Sequence, residues 1–519
     1  GSGKIELQGT NALKITTPFG EVQEGLLECY EDNTKRKITS HYVKEGNDVY
    51  FKIDNYDPSQ TLIIDPPLVW ASYYGGTDHD GAEDIAVDNS GNTYITGYTY
   101  GGHPVLALAG AYNDGVFNGG SQDVYLVKFN SAGVRQWATY YGGSSQETAW
   151  GVVADASGNV YITGNTSSSA DFPTLAYTPV VAGQYNQPVF GGFPMDPGDV
   201  FILKFNSAGV RQWATYYGGN GQEDAIDITK DGSDNIYVTG HTTSANFPVL
   251  ALAGAYNQST LTGGKDIFIL KFGSTGVRQW ATYYGGNFDE MGEALTVDGS
   301  NNLYVLGETG STNFPLQTLA GAYNQAAGGG LFLLKFNSAG VRQWGTLYGG
   351  SSGEPWNQYS YSMPDITTDA SGNVYATGQT YSTDFPVQAY TPAMAGQYNQ
   401  ATKTGAAGTS DAYILKFSST GVRLWATYYG GGTPNGLENP DDMGTGIDTD
   451  ASGNVYIGGT TQSTNFPLYN PGGSEYYNGT ASTGFGGARD MFFLKFNSSG
   501  VRQWATYYGG NGYNWSEAI

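Results

Sequence analysis

A single cysteine, Cys29, stands in a chain of 519 residues, so no internal disulfide and no cysteine-built metal cluster can form. That count leaves the compartment open, because reduced cytosol and disulfide-free secretion both fit it. Charge is sparse too. Charged residues make up 13% of the chain, against roughly 25% in ordinary soluble domains. Only 23 residues are Lys or Arg, which leaves a net charge of −24. Such an acidic surface repels phosphate backbones and anionic lipid, which argues against nucleic-acid binding and lipid docking. No block of like charges forms a tail. No stretch of 18 apolar residues occurs, so no membrane-spanning helix is expected. Gly1-Ser2-Gly3 reads as an interior or appended segment rather than a signal peptide.

What is abundant is glycine (78 residues), tyrosine (41) and aromatic residues in general (14%). A disordered chain lacks aromatics, collagen needs a strict glycine period, and a coiled coil needs long helix-forming runs with charged flanks. None of these fits. Many short strands and many turns do.

The chain is a repeat. The string Val-Arg-Gln-Trp-Ala-Thr-Tyr-Tyr-Gly-Gly returns with small variations, its Trp falling at Trp70, Trp137, Trp213, Trp280, Trp344, Trp425 and Trp504. The spacing of 64 to 81 residues defines six full units and the start of a seventh. Each unit offers four strand-like runs, here A to D. In the second unit these are 150–154, 160–164, 200–205 and 210–217. An Asp-x-Ser-Gly-Asn cluster joins A to B and an Asn-Ser-Ala-Gly cluster joins C to D. The B–C connection is long and variable. Bulk at nearly every strand position fits sheets covered on both faces, and stacked four-stranded antiparallel sheets make a β-propeller. The predicted fold is therefore all-β: a propeller of about seven four-stranded blades, the last truncated, over residues 68–519. A small β-rich element over residues 1–67 precedes it and reads as the end of a larger domain.

Within that element, Lys4 to Gln8, Leu13 to Thr17, Ile38 to Val43, Asp48 to Ile53 and Thr61 to Ile64 read as strands, and Pro66-Pro67 marks the boundary. The chain then opens its repeats on a lone D strand, Leu68 to Gly76, and closes on Ser516 to Ile519, which matches the start of an A strand. The simplest closure is a seven-bladed ring whose last A, B and C strands lie beyond Ile519. Strand alternation puts the uniform A–B and C–D turns on one face. The long B–C and D–A loops share the other, where any partner is expected.

The recurring Trp-Ala-Thr-Tyr-Tyr-Gly-Gly, Asp-Ala-Ser-Gly-Asn-Val-Tyr-Ile-Thr-Gly, Phe-Pro and Asp-Val-Phe-Ile-Leu-Lys-Phe-Asn strings resemble the bacterial SBBP (seven-bladed β-propeller) repeat family. The resemblance covers residues 68–519. It implies a secreted or cell-surface protein of a Bacteroidota-like source, of the kind exported by type IX secretion. It implies no shared catalytic activity and no agreed ligand.

Three motifs carry alternatives. The Asp-x-Ser-Gly-Asn turns supply oxygens that suit calcium, but five residues give too few ligands, and Asp, Asn and Gly also stabilise a tight turn unaided. The strand-C lysines (Lys128, Lys204, Lys271, Lys335, Lys416 and Lys495) and the arginines Arg135, Arg211, Arg278, Arg342, Arg423 and Arg502 recur once per unit. They are expected to pair with Asp or to stack on the Trp two residues on. Lastly, a Tyr-Asn pair sits in each B–C loop, at Tyr112-Asn113, Tyr185-Asn186, Tyr256-Asn257, Tyr323-Asn324, Tyr398-Asn399 and Tyr477-Asn478. An aromatic face beside an amide suits a sugar ring, and equally suits a plug that fixes the loop to its blade.

Catalysis has little support. His41, His79, His103 and His241 lack metal-ligand spacing, and no nucleophile elbow or phosphate loop is present. Acid–base chemistry would need carboxylates converging at the central channel, which sequence cannot show. The expectation is a non-enzymatic secreted or cell-surface scaffold, without catalytic residues, metal or cofactor. Its partners would be surface proteins, itself or extracellular glycans. A lectin-like propeller is the alternative, and a glycosidase or polysaccharide lyase a third.

Overall fold

The computed structural model describes residues 4–8, 12–17, 20–24, 28–31, 36–45, 48–59, 62–65, 72–192, 198–328, 330–352, 364–405, 408–432, 441–471, 477–481, 489–509 and 514–519. Among them every regular element is a strand. The chain divides into two compact units, residues 1–75 with 470–479, and residues 76–469 with 480–519.

In the first unit, Lys4–Gln8, Ala12–Thr17 and Gly20–Glu24 form one antiparallel sheet, and Lys37–Ile38, Glu28–Glu31 and Leu62–Asp65 a second. Ser40–Glu45 pairs with Asp48–Ile53. Cys29 is buried against Ile38 and Tyr42. The sequence reading missed Gly20–Glu24 and Glu28–Glu31. Pro66-Pro67 and Trp70 lie outside the described residues.

Among the described residues the second unit holds six four-stranded antiparallel sheets, each with strands A to D side by side in chain order. Sheet 1 is Asp80–Val87, Thr93–Thr99, Asp123–Phe129 and Arg135–Tyr141. Sheet 2 is Glu147–Ala154, Val160–Thr166, Asp199–Phe205 and Arg211–Tyr217, and sheet 3 is Glu223–Lys230, Ile236–Thr242, Asp266–Phe272 and Arg278–Tyr284. Sheet 4 is Glu290–Val297, Leu303–Thr309, Leu331–Phe336 and Arg342–Tyr348, and sheet 5 is Asp365–Thr368, Val374–Thr380, Asp411–Phe417 and Arg423–Tyr429. Sheet 6 is Asp442–Thr449, Val455–Thr461, Asp490–Phe496 and Arg502–Tyr508.

The turns explain their own sequences. Asp155 Oδ1 accepts from the backbone N–H of Ser157 and Asn159, and Oδ2 accepts from Asn159 Nδ2. Gly158 takes the positive φ of 73° that the turn requires. Where the sequence has Asp234 or Asn301 instead, those residues adopt positive φ, as Asp and Asn tolerate best. The same bonds recur at Asp88, Asp231, Asp298, Asp369 and Asp450. The carboxylate is spent inside the turn.

Neighbouring sheets bury each other. Strand C is buried at every position in sheets 1 to 5, whereas in sheet 6 burial alternates and Met491, Phe493 and Lys495 are half-exposed. Sheet 1 is bare on its opposite flank: Ile85 is 38% and Val87 62% exposed, while Val152, at the position of Ile85 in sheet 2, is 4% exposed. A groove of about 730 Å³ runs between these two faces, bordered by Ile85, Tyr98, Phe493 and Tyr508. The six sheets thus leave an uncovered flank at each end of the series. Ser516 to Ile519 lies against strand A of sheet 6, where a methyl group on Gly446 would come within 3.0 Å of the Ile519 nitrogen. Of the expected first D strand, residues 72–76 are not in a strand, and residues 68–71 lie outside those described.

Candidate functional site

The first Gly after the D strands of sheets 1, 2, 3 and 5 sits where two carboxyl groups meet. In sheet 2, a methyl on Gly218 would stand 2.6 Å from Glu223 Oε2 and 2.7 Å from Asp199 Cγ. A methyl on Gly219 would meet Asn246 Oδ1 and Ser244 at 2.6 Å. Glu223 opens strand A of the next sheet. It accepts from Thr242 Oγ1 at 2.7 Å and from the Gly219 N–H at 3.1 Å. Asp199 opens strand C and accepts from the Gly191 N–H at 2.7 Å, pinning the long loop. Both carboxyls are fully buried. Burial pushes Asp199 up to about 7, with the nearby Glu223 charge adding to the rise, and it raises Glu223 as well. Asp123 with Glu147 and Asp411 with Asp442 repeat the arrangement.

The recurrent cations bridge sheets. Lys204 Nζ donates to the Ser274 carbonyl in the next sheet at 2.9 Å and lies 4.7 Å over the Tyr161 ring. Arg278 Nη1 donates to Tyr217 Oη at 2.9 Å and to the Pro248 carbonyl at 2.8 Å, and its guanidinium lies 4.7 Å over Tyr185. The expectation that Arg stacks on the Trp of its own strand is replaced by this arrangement. The partner is the loop Tyr of the preceding unit, repeated for Arg211 on Tyr112, Arg342 on Tyr256, Arg423 on Tyr323 and Arg502 on Tyr398. The expected pairing of strand-C Lys with Asp is met at the A–B turns, where Lys271 Nζ lies 3.7 Å from Asp231 Oδ2 and Lys204 Nζ 4.0 Å from Asp155 Oδ2.

The Tyr-Asn pairs therefore lie at the seams. Tyr112, Tyr185, Tyr256, Tyr323 and Tyr398 each donate a backbone N–H to a Gly carbonyl of the next sheet, Gly209, Gly276, Gly340, Gly421 and Gly500. Asn113 and Asn257 spend their amides on Leu108 and Ala111, and on Leu252 and Ala255. Asn324 does the same with Leu319 and Ala322. Asn186 and Asn399 are exposed, and there Gln184 and Gln397 make the cross-sheet bond. Tyr477 is exposed and belongs with Asn478 to the other compact unit.

Sequence reasoning did not find the side chains on the axis. Strand A of sheets 1, 2, 3, 4 and 6 carries a β-bulge at the same step, opposite the bond between a Gly and its neighbour in strand B. A bulge re-aims a side chain. The bulged residues are Glu83, Trp150, Ile226, Glu293 and Thr445. With Pro364 and Glu517 they line one axial cavity of about 100 Å³ reached from all six sheets. The next residue alternates between Asp and a small one. Asp84 Oδ2 accepts from the Val152 N–H at 2.7 Å, Asp227 from Leu295 at 2.6 Å and Asp365 from Ile447 at 2.8 Å, always one sheet onward. Each also accepts from the N–H of its own following residue. These three are clamps between sheets, with both oxygens engaged. Glu83 and Glu293 are pushed up to about 7 and Glu517 to about 9, burial being the main cause. Aligning the units at the Gly of strand B would have exposed this column.

The histidines are scattered. His103 Nδ1 lies 3.0 Å from Asp80 Oδ1 and stacks on Tyr125 at 4.1 Å. His241 is pushed down to about 3 by burial, with Lys265 adding to the fall. Among the described residues, no group of three or more His, Cys, Asp or Glu is placed to hold a metal ion.

Six stacked four-stranded sheets with these repeated seams make the chain a β-propeller repeat protein. A family model described as a beta-propeller repeat (SBBP) matches residues 136–173, 212–248, 279–315 and 424–467. A second, described as a domain of unknown function (DUF7948), matches residues 1–67. The chain is 22% identical over 451 residues to an uncharacterised WD repeat-containing protein, L264, of Acanthamoeba polyphaga mimivirus, covering 77% of this chain and 31% of that one. It is 25% identical over 439 residues to the regulatory protein FlaEY of Caulobacter vibrioides, covering 81% of this chain and 40% of that one. The chain thus spans well under half the length of both relatives. The solved structure of the Hadza microbial sialidase Hz136 aligns with 88% of this chain and 72% of its own, at 8% identity and a TM-score of 0.33. At that score the activity of the sialidase does not transfer to this chain.

Proposed function

We propose that the chain is a non-enzymatic scaffold, exported to the bacterial surface, whose loop face docks other surface proteins. One observation carries this reading. The turn Asp, strand-C Lys and strand-D Arg that recur from unit to unit are engaged in turns and seams, while the B–C and D–A loops differ from unit to unit and expose apolar side chains. Val116, Val180, Val189, Phe288 and Met394 stand half or more exposed there. Of the carboxylates on the axial cavity, Asp84, Asp227 and Asp365 are tied to backbone N–H groups.

We infer further that the scaffold takes a seventh sheet in the groove between sheets 6 and 1. The partly exposed Met491, Phe493 and Ile85, the exposed Val87, and the seating of Ser516 to Ile519 on strand A of sheet 6 support this.

The test joins turnover to binding. The protein is offered glycoside, lactone and uronate-polysaccharide substrates, and separately titrated onto whole bacterial envelopes by interferometry. The scaffold reading expects no turnover above buffer and saturable envelope binding that Val180→Asp with Val189→Asp abolishes. Turnover that Glu293→Gln removes would replace it with an enzyme.

A further inference from the structure

Two loops share one sequence pattern and end in different states. Ala176-Tyr177-Thr178-Pro179 to Gly183-Gln184-Tyr185-Asn186-Gln187 in unit 2 matches Ala389-Tyr390-Thr391-Pro392 to Gly396-Gln397-Tyr398-Asn399-Gln400 in unit 5. Their anchors are the same. Gln184 Nε2 donates to the Thr275 carbonyl and Gln397 Nε2 to the Ser499 carbonyl, each at 2.8 Å. In unit 5 the slot beside the Trp is filled. Tyr390 stacks on Trp425 at 5.2 Å and 31°, and a methyl on Gly500 would fall 2.0 Å from the Tyr390 ring. The Trp425 indole donates to the Tyr398 carbonyl at 3.1 Å.

In unit 2 the slot is open. The atoms nearest a methyl on Gly276 belong to Trp213, at 3.5 to 3.7 Å. A cavity of about 350 Å³ remains, lined by Trp213, Tyr177, Val180, Asn186 and Gly276. Trp213 is buried and its Nε1 has no partner.

We propose that this slot binds a pyranose residue of a glycan. The place is shaped for a six-membered ring, since Tyr390 occupies its counterpart. An aromatic wall suits the apolar face of a sugar. Asn186, exposed at the rim, offers a donor and an acceptor to further hydroxyls. The volume falls within the roughly 300–1,000 Å³ of small-molecule sites. Val180, exposed beside the slot, leaves room for the rest of a chain to pass. The site goes beyond protein docking and stands without it, because its probe is a free monosaccharide.

The test is saturation-transfer NMR of the whole chain with a panel of methyl pyranosides and, in parallel, N-acetyltyrosine amide. At least one pyranoside is expected to bind at roughly millimolar affinity, as a ligand of about a dozen heavy atoms does. Asn186→Ala should weaken it about fivefold, the worth of one hydrogen bond, while Asn399→Ala at the filled slot should leave it unchanged. A crystal soak should place the sugar ring beside Trp213. No pyranoside binding, binding indifferent to Asn186→Ala, or binding of the tyrosine amide alone would overturn the proposal. The last outcome would make the slot a seat for an aromatic side chain.

Discussion

Arg278 Nη1 donates a 2.9 Å hydrogen bond to Tyr217 Oη across the seam between sheets 2 and 3. The same guanidinium reaches the Pro248 carbonyl and covers Tyr185. One side chain thus ties strand D of one sheet, the Phe-Pro segment of its own unit and the loop of the preceding unit. Lys cannot reproduce it, because an ammonium lacks the planar fork. Arg278→Lys should cost about 1–2 kcal/mol, from the lost stack and one hydrogen bond. A fall in thermal midpoint checks it, and an unchanged midpoint would remove Arg278 from the seam.

Gly218→Ala should be among the most damaging single changes in the chain. Its methyl would stand between Glu223 and Asp199, both buried and both held by other bonds. Overpacking of this kind costs roughly 1–3 kcal/mol or more. Gly115→Ala is the control, because nothing lies within 4 Å of its added methyl. Denaturant midpoints for the two variants should separate clearly.

Acid should stabilise the second unit down to about pH 5. Asp84, Asp199, Glu293, Asp365 and Asp442 are all pushed up to about 7, chiefly by burial. Groups raised in the folded state hold protons that the unfolded chain has lost. Their contribution is complete below the ordinary carboxylate range near 4 and disappears as pH climbs through about 7. The turn carboxylates Asp88, Asp231 and Asp450 are held below their usual value by hydrogen bonds from Asn92, Asn235 and Asn454. They act oppositely, in stronger acid. Scanning calorimetry should give a higher midpoint at about pH 5.5 than at about pH 8.5. Glu293→Gln should narrow that difference by raising the alkaline midpoint.

The repeat, the four strands per unit and both turns were legible because each rests on local chemistry: β-branched runs, and Asp or Asn before Gly. The seams were not. Arg278 was expected on Trp280 because both lie on one strand, yet it meets Tyr185, 93 residues earlier, through an offset between sheets that no local pattern encodes. Glu83 and Glu293 went unnoticed because a bulge breaks the two-residue alternation that tells inside from outside. The Tyr-Asn pairs were found by recurrence alone. Recurrence could not say that Asn257 is tied to Leu252 while at Asn186 the anchoring bond passes to Gln184.

Tyr256→Ala and Asn257→Ala should act on stability through the loop. Tyr256 is half-buried, carries Arg342 at 4.9 Å and lies 4.6 Å from Tyr284. Its loss should cost about 2–4 kcal/mol, near the value for a large buried aromatic. Asn257→Ala should cost about 1 kcal/mol, the worth of a loop-closing hydrogen-bond set. Thermal melts of both, beside Asn186→Ala, should show the third variant close to the parent. A destabilised Asn186→Ala would mean that its amide serves the fold after all.

The groove between sheets 6 and 1 gives the last prediction. Phe493 and Tyr508 on one side and Ile85 and Tyr98 on the other border about 730 Å³ that water fills at a cost to apolar surface. A chain extended past Ile519 by strands A to C of a further unit, copied from residues 442–497, should seat the new strands in this groove. It should then bury both flanks. Dye binding to exposed apolar surface should fall and the thermal midpoint should rise. Replacing Phe493 with Asp in the extended chain should cancel the gain. If the extension leaves dye binding and midpoint where they were, the groove is not a seat for a seventh sheet.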